Sequence, residues 1–385
     1  MAQSVLEIVS FTDPYCTWCW GAEPILRKIQ EVYRTQVSIR FVMGGLVEDM
    51  RNFSDPGAGI GGAQWYRQVA EHWAEASRRH KMPVDERVFF DIKNDVFSTH
   101  PACIAIKAAQ FQGEEPGNRY LRRLREAAAA ERLTIQHTDV QVALASEIGL
   151  DRESFVVSID TGQAEQAFRE DLAECRQRSI RGFPSFLVRG FGEEVLLRGY
   201  TPYQTFDRWF RELSKNQLRQ NELHASSSHV FDFISRYGKV APMEVACVYD
   251  MAFENAQTLL QNMAENGLVS EQPVGNGAFY VLPPVPEILG AHNLVASKKQ
   301  GRELIRRCVE GIGLIPEGPK KVTIEYKTPE IPSPALSQQM VAGAISARRQ
   351  PGSGLFVIEH RRKEVGIGSI LKRIHRFSEP DLVPG

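Results

Sequence analysis

The tetrapeptide Cys16-Thr17-Trp18-Cys19 constrains this chain more than any other feature, because of what stands on either side of it. The run from Val5 to Phe11 is apolar enough for a buried strand, Asp13-Pro14 marks a turn, and Glu23 to Ile29 continues at helical spacing. The motif therefore opens a helix directly after a strand. Two thiols three residues apart at a helix start lie within disulfide reach. The first sits over unpaired amide N–H groups and the positive end of the helix dipole, both of which favour thiolate. Thiolate is the form that attacks disulfides, so the arrangement is chemically poised.

The rest of the composition narrows the setting. A chain of 385 residues predicts two or three domains, each able to bury its own core. Six cysteines, four of them scattered singly, do not make a disulfide framework. The start Met-Ala-Gln-Ser runs into a strand without a basic n-region or leader-length apolar segment, and no stretch approaches a membrane span. The expectation is a cytoplasmic protein with no membrane association. In a reducing compartment a CxxC is catalytic, sensory or metal-binding.

Two further features sharpen the motif. Pro24 falls eight residues after Cys16 inside the helical pattern, where a proline predicts a kink. Far downstream, Gly182-Phe183-Pro184-Ser185 leads into an apolar strand, a second strand follows at Val195 to Arg198, and Tyr203 to Leu213 reads as an amphipathic helix. Here the chain resembles the thioredoxin superfamily. Helical patterns fill most of the 168 positions separating Cys16 from Pro184: 64–80, 86–99, 101–111, 120–130, 139–148 and 162–178. A helical insertion in a thioredoxin fold is similar to the DsbA-like oxidoreductases. The wording Val5-Leu6-Glu7, Asp13-Pro14, Trp20-Gly21, Gly44-Gly45-Leu46 and Pro101 to Ala109 resembles the cytoplasmic branch with FrnE-type predicted isomerases and YjbH/SpxH adapters.

The resemblance covers roughly residues 3–215 and implies roles for particular residues. Cys16 is the expected attacking thiolate, and Cys19 resolves the mixed disulfide. Pro184 is the expected cis-proline. The backbone of Phe183 would pair with an extended substrate strand. Glu7, between apolar residues of the first strand, is either a buried proton-accepting acid behind the dithiol or an outward-facing edge glutamate. Trp18 and Trp20 are candidates to line a substrate groove. Because Thr17 and Trp18 stand where a histidine would stabilise the reduced form, the couple is expected to be less oxidising than the strongly oxidising periplasmic members. His100 and Cys103 could join the CxxC in a zinc site, but Cys103 reads better as a core residue of the helix through Ile104 and Ile106, so neither metal nor cofactor is expected.

Beyond the resembling region the chain has its own patterns. Residues 226–283 run helix, helix, helix and then a hairpin with a Gly275-Asn276-Gly277 turn, an order similar to a winged helix. Two basic residues stand there against six acidic ones, a net charge of −4, which argues against nucleic acid and for protein contact. Residues 297–385 carry sixteen Lys and Arg against nine Asp and Glu, and segments 355–360 and 370–377 look structured. This basic stretch suits docking on the acidic module or an acidic partner.

The fold expectation is an α/β thioredoxin domain over 1–215 with a helical insertion at about 60–178. A winged-helix-like domain over 226–283 and a basic region over 284–385 complete it. The expected function is thiol–disulfide exchange on protein or small-thiol disulfides, with a reductant such as glutathione or the thioredoxin system and a protein client selected by the C-terminal domains. The alternative is a redox-sensitive or zinc-binding adapter that recruits a client with little turnover.

Overall fold

The structure, a computed structural model, describes residues 5–283 and three further strands between 324 and 361. Strand β1 (Leu6–Thr12) lies at the centre of a four-stranded sheet. It pairs in parallel with β2 (Val37–Met43) and antiparallel with β5 (Ser185–Gly190), which pairs with β6 (Glu193–Arg198). Successive side chains of a strand point to opposite faces. Leu6 and Ile8 thus join one cluster with Ile25, Ile29, Phe186 and Phe206, whereas Val9 and Phe11 join another with Val42 and Leu187. Both faces are covered, which is why β1 reads as a continuous apolar run rather than an alternating one.

Helix α1 (Thr17–Gly21) and helix α2 (Glu23–Tyr33) connect β1 to β2. The expected kink at Pro24 is realised as a break at Ala22: the proline sits in the first turn of α2, where its missing N–H has no helical partner to lose. A β-α-β unit followed by two antiparallel strands and α10 (Tyr203–Ser214) is the order of a thioredoxin fold.

Between β2 and β5 lies the insertion. A small hairpin of β3 (Ser54–Asp55) and β4 (Ile60–Gly61) precedes α3 (Trp65–His80), α4 (Val88–Asp91), α5 (His100–Gln110) and α6 (Glu114–Ala129). Helices α7 (Thr138–Glu147), α8 (Arg152–Asp160) and α9 (Gln163–Gln177) complete it. Two elements differ from expectation. The pattern at 86–99 yields only the four residues of α4, because the chain then turns to bury Ile92 and Phe97 in the insertion core. Helix α8 escaped notice because one short helix with Asp151 as its cap buries little besides Phe155.

After α10 come α11 (Ser227–Tyr237), α12 (Pro242–Val248), α13 (Phe253–Glu265) and a hairpin of β7 (Ser270–Val274) and β8 (Gly277–Val281). The chain divides into two compact units. The first comprises 1–224 with 240–258 and 271–280; the second comprises 225–239, 259–270 and 281–385. Helix α12 and most of the hairpin therefore belong to the thioredoxin-containing unit, joined to each other by antiparallel bonds between Val240 and Tyr280. The second unit contains α11, capped by the Ser226 side chain, and a sheet of β9 (Ile324–Tyr326), β10 (Ala344–Arg349) and β11 (Phe356–Arg361) in the order β10-β11-β9. The expected structured segment 355–360 matches β11, and 370–377 lies outside the described residues. Among the described residues, no helix is long and apolar enough to cross a membrane.

The hairpin turn is keyed into the first unit. Asn276 accepts the Val84 N–H at 2.8 Å, donates its own N–H to the Val84 carbonyl at 2.9 Å and its side-chain amide to Ser77 Oγ at 2.9 Å. Phe279, fully buried, meets Trp20 edge-on at 6.2 Å. Phe279→Ala should cost about 3–4 kcal/mol of stability, as cavity-forming aromatic truncations do, read by chemical denaturation with altered Trp20 fluorescence. An unchanged midpoint would show that the hairpin is dispensable to this core.

Candidate active site

Cys16 forms the N-cap of α1, with extended backbone, and its Sγ accepts the Cys19 N–H at 3.2 Å. Its own N–H donates to the Asp13 carbonyl at 3.2 Å. Both thiols are free, and Cys16 is 6% exposed against 2% for Cys19. The cap satisfies one amide that the helix itself cannot, and it does so with sulfur.

Burial opposes ionisation of either sulfur. At Cys19 the hydrogen bond from Cys16, the Arg125 charge and hydrogen bonds from Thr12 and the Asp13 backbone outweigh it and hold this thiol below its ordinary value. At Cys16 burial is joined by the hydrogen bond to Cys19 and by the Cys19 charge, and the second proton is held well above the ordinary range. The pair thus gives up one proton readily and keeps the other. Reasoning from the helix end alone placed the charge on Cys16; the cation behind Cys19 draws it inward.

That cation belongs to a buried ionic cluster. Arg125, 1% exposed, donates to Thr12 Oγ1 at the end of β1 and to Glu23 at the start of α2. On the other side of the motif, Asp13 is fully buried and accepts from the N–H groups of Tyr15 and Leu46, from Thr99 and from the Cys103 thiol. Burial raises its pKa, against the pull of those bonds. Asp13 thereby ties the turn before Cys16 to the Gly44-Gly45-Leu46 loop and to α5.

His80 closes α3 beneath the motif. The Met82 N–H donates to its Nδ1 at 3.1 Å, so Nε2 carries the proton and faces Thr17 Oγ1 at 3.3 Å. A Cβ on Gly21 would lie 2.6 Å from the His80 ring, which is why glycine follows Trp20. Trp18 is partly exposed, among the rings of His72 (6.4 Å), His80 (6.0 Å) and Tyr200 (5.7 Å).

The Phe183–Pro184 peptide is cis, as the resemblance implied. Ser185 pairs with Phe11, so this loop stands at the end of the sheet where β1 runs into the motif. The Phe183 ring lies over Gly44, where a Cβ would fall 1.9 Å from a ring carbon.

Two expected site residues are placed elsewhere. Glu7 is paired with Arg189 at 2.5 Å and Arg40 at 3.5 Å, its side chain 24% exposed. It stands five strand positions before Thr12, about 17 Å at 3.3 Å per residue, so it is not the acid behind the dithiol. Trp20 does not line a groove: it is 1% exposed, donates Nε1–H to the Pro83 carbonyl at 2.9 Å and lies under the Arg122 guanidinium at 4.5 Å. Cys103 is a fully buried residue of α5, and His100 packs edge-on against Phe168 at 4.9 Å.

The thioredoxin family model matches residues 9–208, just over half of the chain. The chain belongs to the thioredoxin family. Its helices α3 to α9 are inserted in that fold between β2 and β5. It is similar to the ClpXP adapter protein SpxH of Halalkalibacterium halodurans, 29% identical over 279 residues, which covers 71% of this chain and 88% of the relative. The SpxH of Bacillus subtilis is 23% identical over 278 residues, 71% of this chain and 88% of that protein. Among solved structures, the cytosolic disulfide reductase DsbM of Pseudomonas aeruginosa matches at 21% identity with a TM-score of 0.41, over 55% of this chain and 93% of that one.

Thr12, Asp13, Glu23, His80 and Arg125 were not singled out from sequence as site residues. The one available signal was Arg125, four positions after Leu121 on the buried face of α6, where a cation needs a partner. Burial lowers the His80 pKa to about 4 from 6.5, so the folded state holds it neutral. Its contribution to stability is full above pH 6.5 and is lost as the pH falls toward 4. The loss amounts to about 3 kcal/mol at most. Denaturation midpoints across that window should therefore fall less steeply for His80→Gln than for wild type. Parallel profiles would mean that His80 is not the titrating group.

Proposed function

We propose that this protein carries out thiol–disulfide exchange on protein disulfides through Cys16 and Cys19. The observation that carries this reading is the geometry of the CxxC: its first sulfur caps a helix and accepts the Cys19 N–H, beside the cis Phe183–Pro184 loop, and the buried Arg125 charge favours thiolate at the second sulfur. Cys16, the more exposed sulfur, passes its proton to the Cys19 thiolate and attacks one sulfur of the substrate disulfide; the other substrate sulfur leaves as thiolate and takes that proton from Cys19. Cys19 then attacks Cys16 Sγ, closing the Cys16–Cys19 disulfide and releasing the substrate as dithiol. Two electrons pass to the substrate, and an external thiol reductant, such as glutathione or a thioredoxin system, restores the pair. Phe183 and Pro184 are proposed to present the edge on which an extended substrate strand pairs, with Trp18 beside it.

A second reading has its own support. The relatives named as adapters align over 279 residues, more than the thioredoxin match of 9–208 alone, so the likeness extends into the segment after the fold. In that reading the thioredoxin unit recruits a protein client in the cytoplasm and the CxxC reports redox state.

Titration across glutathione redox buffers, followed by tryptophan fluorescence and by thiol alkylation, separates the two. A reversible two-electron transition is expected in wild type and should vanish in Cys16→Ser. Insulin reduction should fall by at least about 100-fold in that variant, since the attacking sulfur is gone. A wild type with no transition, or one whose client binding survives Cys16→Ser undiminished while turnover is absent, overturns the exchange reading in favour of the adapter.

A further inference from the structure

Behind the dithiol, α2, α6 and α12 enclose six charged side chains: Arg27, Arg122 and Arg125 against Glu23, Glu126 and Glu244. The side chains are between 0% and 11% exposed. Glu244 is the most deeply buried and comes from the segment after the thioredoxin fold. Its Oε1 receives Arg27 Nε at 2.8 Å and Arg122 at 2.9 Å, and its Oε2 receives Arg122 at 3.0 Å and the Ala241 N–H at 2.8 Å. Arg122 also reaches Glu23 at 3.4 Å and Glu126 at 2.7 Å, and Glu23 is the carboxylate that holds Arg125. Arg125 in turn holds Thr12, and its charge acts on Cys19. The other charged pair on α12's side, Lys28 with Asp250, lies at the rim, with Asp250 exposed.

We infer that Glu244 is a positioning residue that balances this cluster and thereby sets how easily the Cys16–Cys19 pair ionises. The inference rests on the dithiol being the reactive centre proposed above. These six side chains carry three positive and three negative charges, with Arg123, itself paired to Glu131 and Glu147, reaching Glu126 at 3.9 Å at their edge; with little water to screen the group, removing one charge acts on the nearest group that can respond. Glu244→Gln leaves a net positive charge while keeping an acceptor for the Ala241 N–H. Arg122 and Arg27 then compete for Glu23, Arg125 is less neutralised, and the thiolate gains. Arg27→Met leaves a net negative charge and works the other way.

The test is the pH profile of alkylation of Cys16 by iodoacetamide, read by mass spectrometry on the reduced full chain. Glu244→Gln should lower the reactive thiol pKa, and Arg27→Met should raise it, each by a few tenths to about one unit. At a fixed pH below the wild-type value this is an alkylation rate about 2- to 10-fold faster and slower, respectively. Glu244→Asp, which keeps the charge, should stay near wild type. Shifts of the same sign in both charge-removing variants, no shift in either, or a shift in Glu244→Asp equal to that in Glu244→Gln would overturn the inference. If Glu244→Gln does not fold, the sign of the Arg27→Met shift decides. A glutathione titration of the wild type run alongside separates the failures: no two-electron transition sinks the exchange reading, whereas a normal transition with unmoved variants sinks only the role of Glu244.

Discussion

The pairing of Arg125 with Glu23 is the contact on which the arrangement of this molecule depends. Isolated charges cannot be buried; the desolvation of each costs several kcal/mol unless geometry and hydrogen bonding return it. Arg125, 1% exposed, therefore demands Glu23, and Glu23 demands the position of α2 relative to α6. The other terminal nitrogen of Arg125 donates to Thr12, the last residue of β1. One guanidinium thus fastens the strand that precedes the CxxC, the helix that follows it and the insertion that covers it. Such a cluster is poor evidence for stability, because apolar residues of the same volume often do as well. What it does here is placement: α6, α2 and the end of β1 must keep this registry for Arg125 to reach Glu23 and Thr12 together.

Asp13 performs the matching task on the opposite side. Its carboxylate accepts from Leu46 and Tyr15 backbone amides, from Thr99 and from Cys103, so the chain before the dithiol, the loop after β2 and the start of α5 are held by a single group. The dithiol stands between a carboxylate whose burial raises its pKa and a guanidinium that favours thiolate. Position along this gradient explains why the charge settles toward Cys19 while access favours Cys16.

Local signals in the sequence carried the motif, the cis-proline loop and most of the elements. Cys16, Cys19 and Pro184 were legible because each is defined by its neighbours in the chain: a strand before, a helix start after, an apolar strand following. Most helices of the insertion were legible through their apolar stripes. What could not be read was anything decided across the chain. Glu7 read either as a buried acid or as an outward-facing edge residue, because its neighbours Leu6 and Ile8 are apolar; the strand alternates, and the opposite face at that point offers Arg40 and Arg189. Trp20 looked like a groove residue because it adjoins the CxxC; its burial is set by Phe279, 259 positions later. Arg125 and Glu244 differ by 119 positions, and no local pattern joins them.

The hairpin and α12 bear on what kind of protein this is. A thioredoxin fold needs nothing after α10 to bury its sheet, yet here Phe279 covers Trp20, Asn276 keys into Val84, and Glu244 enters the ionic cluster. These contacts engage Trp20 of α1 and Arg27 of α2, whereas Trp18 meets Tyr200 at 5.7 Å. A segment added only to recruit a partner has no physical need to contribute a fully buried carboxylate to the ion cluster that includes Arg125. Conversely, an enzyme tuned only by its own fold has no need of an appended helix. The arrangement joins the two: whatever the downstream segment engages, its helix α12 is already part of the electrostatic environment in which the thiols ionise.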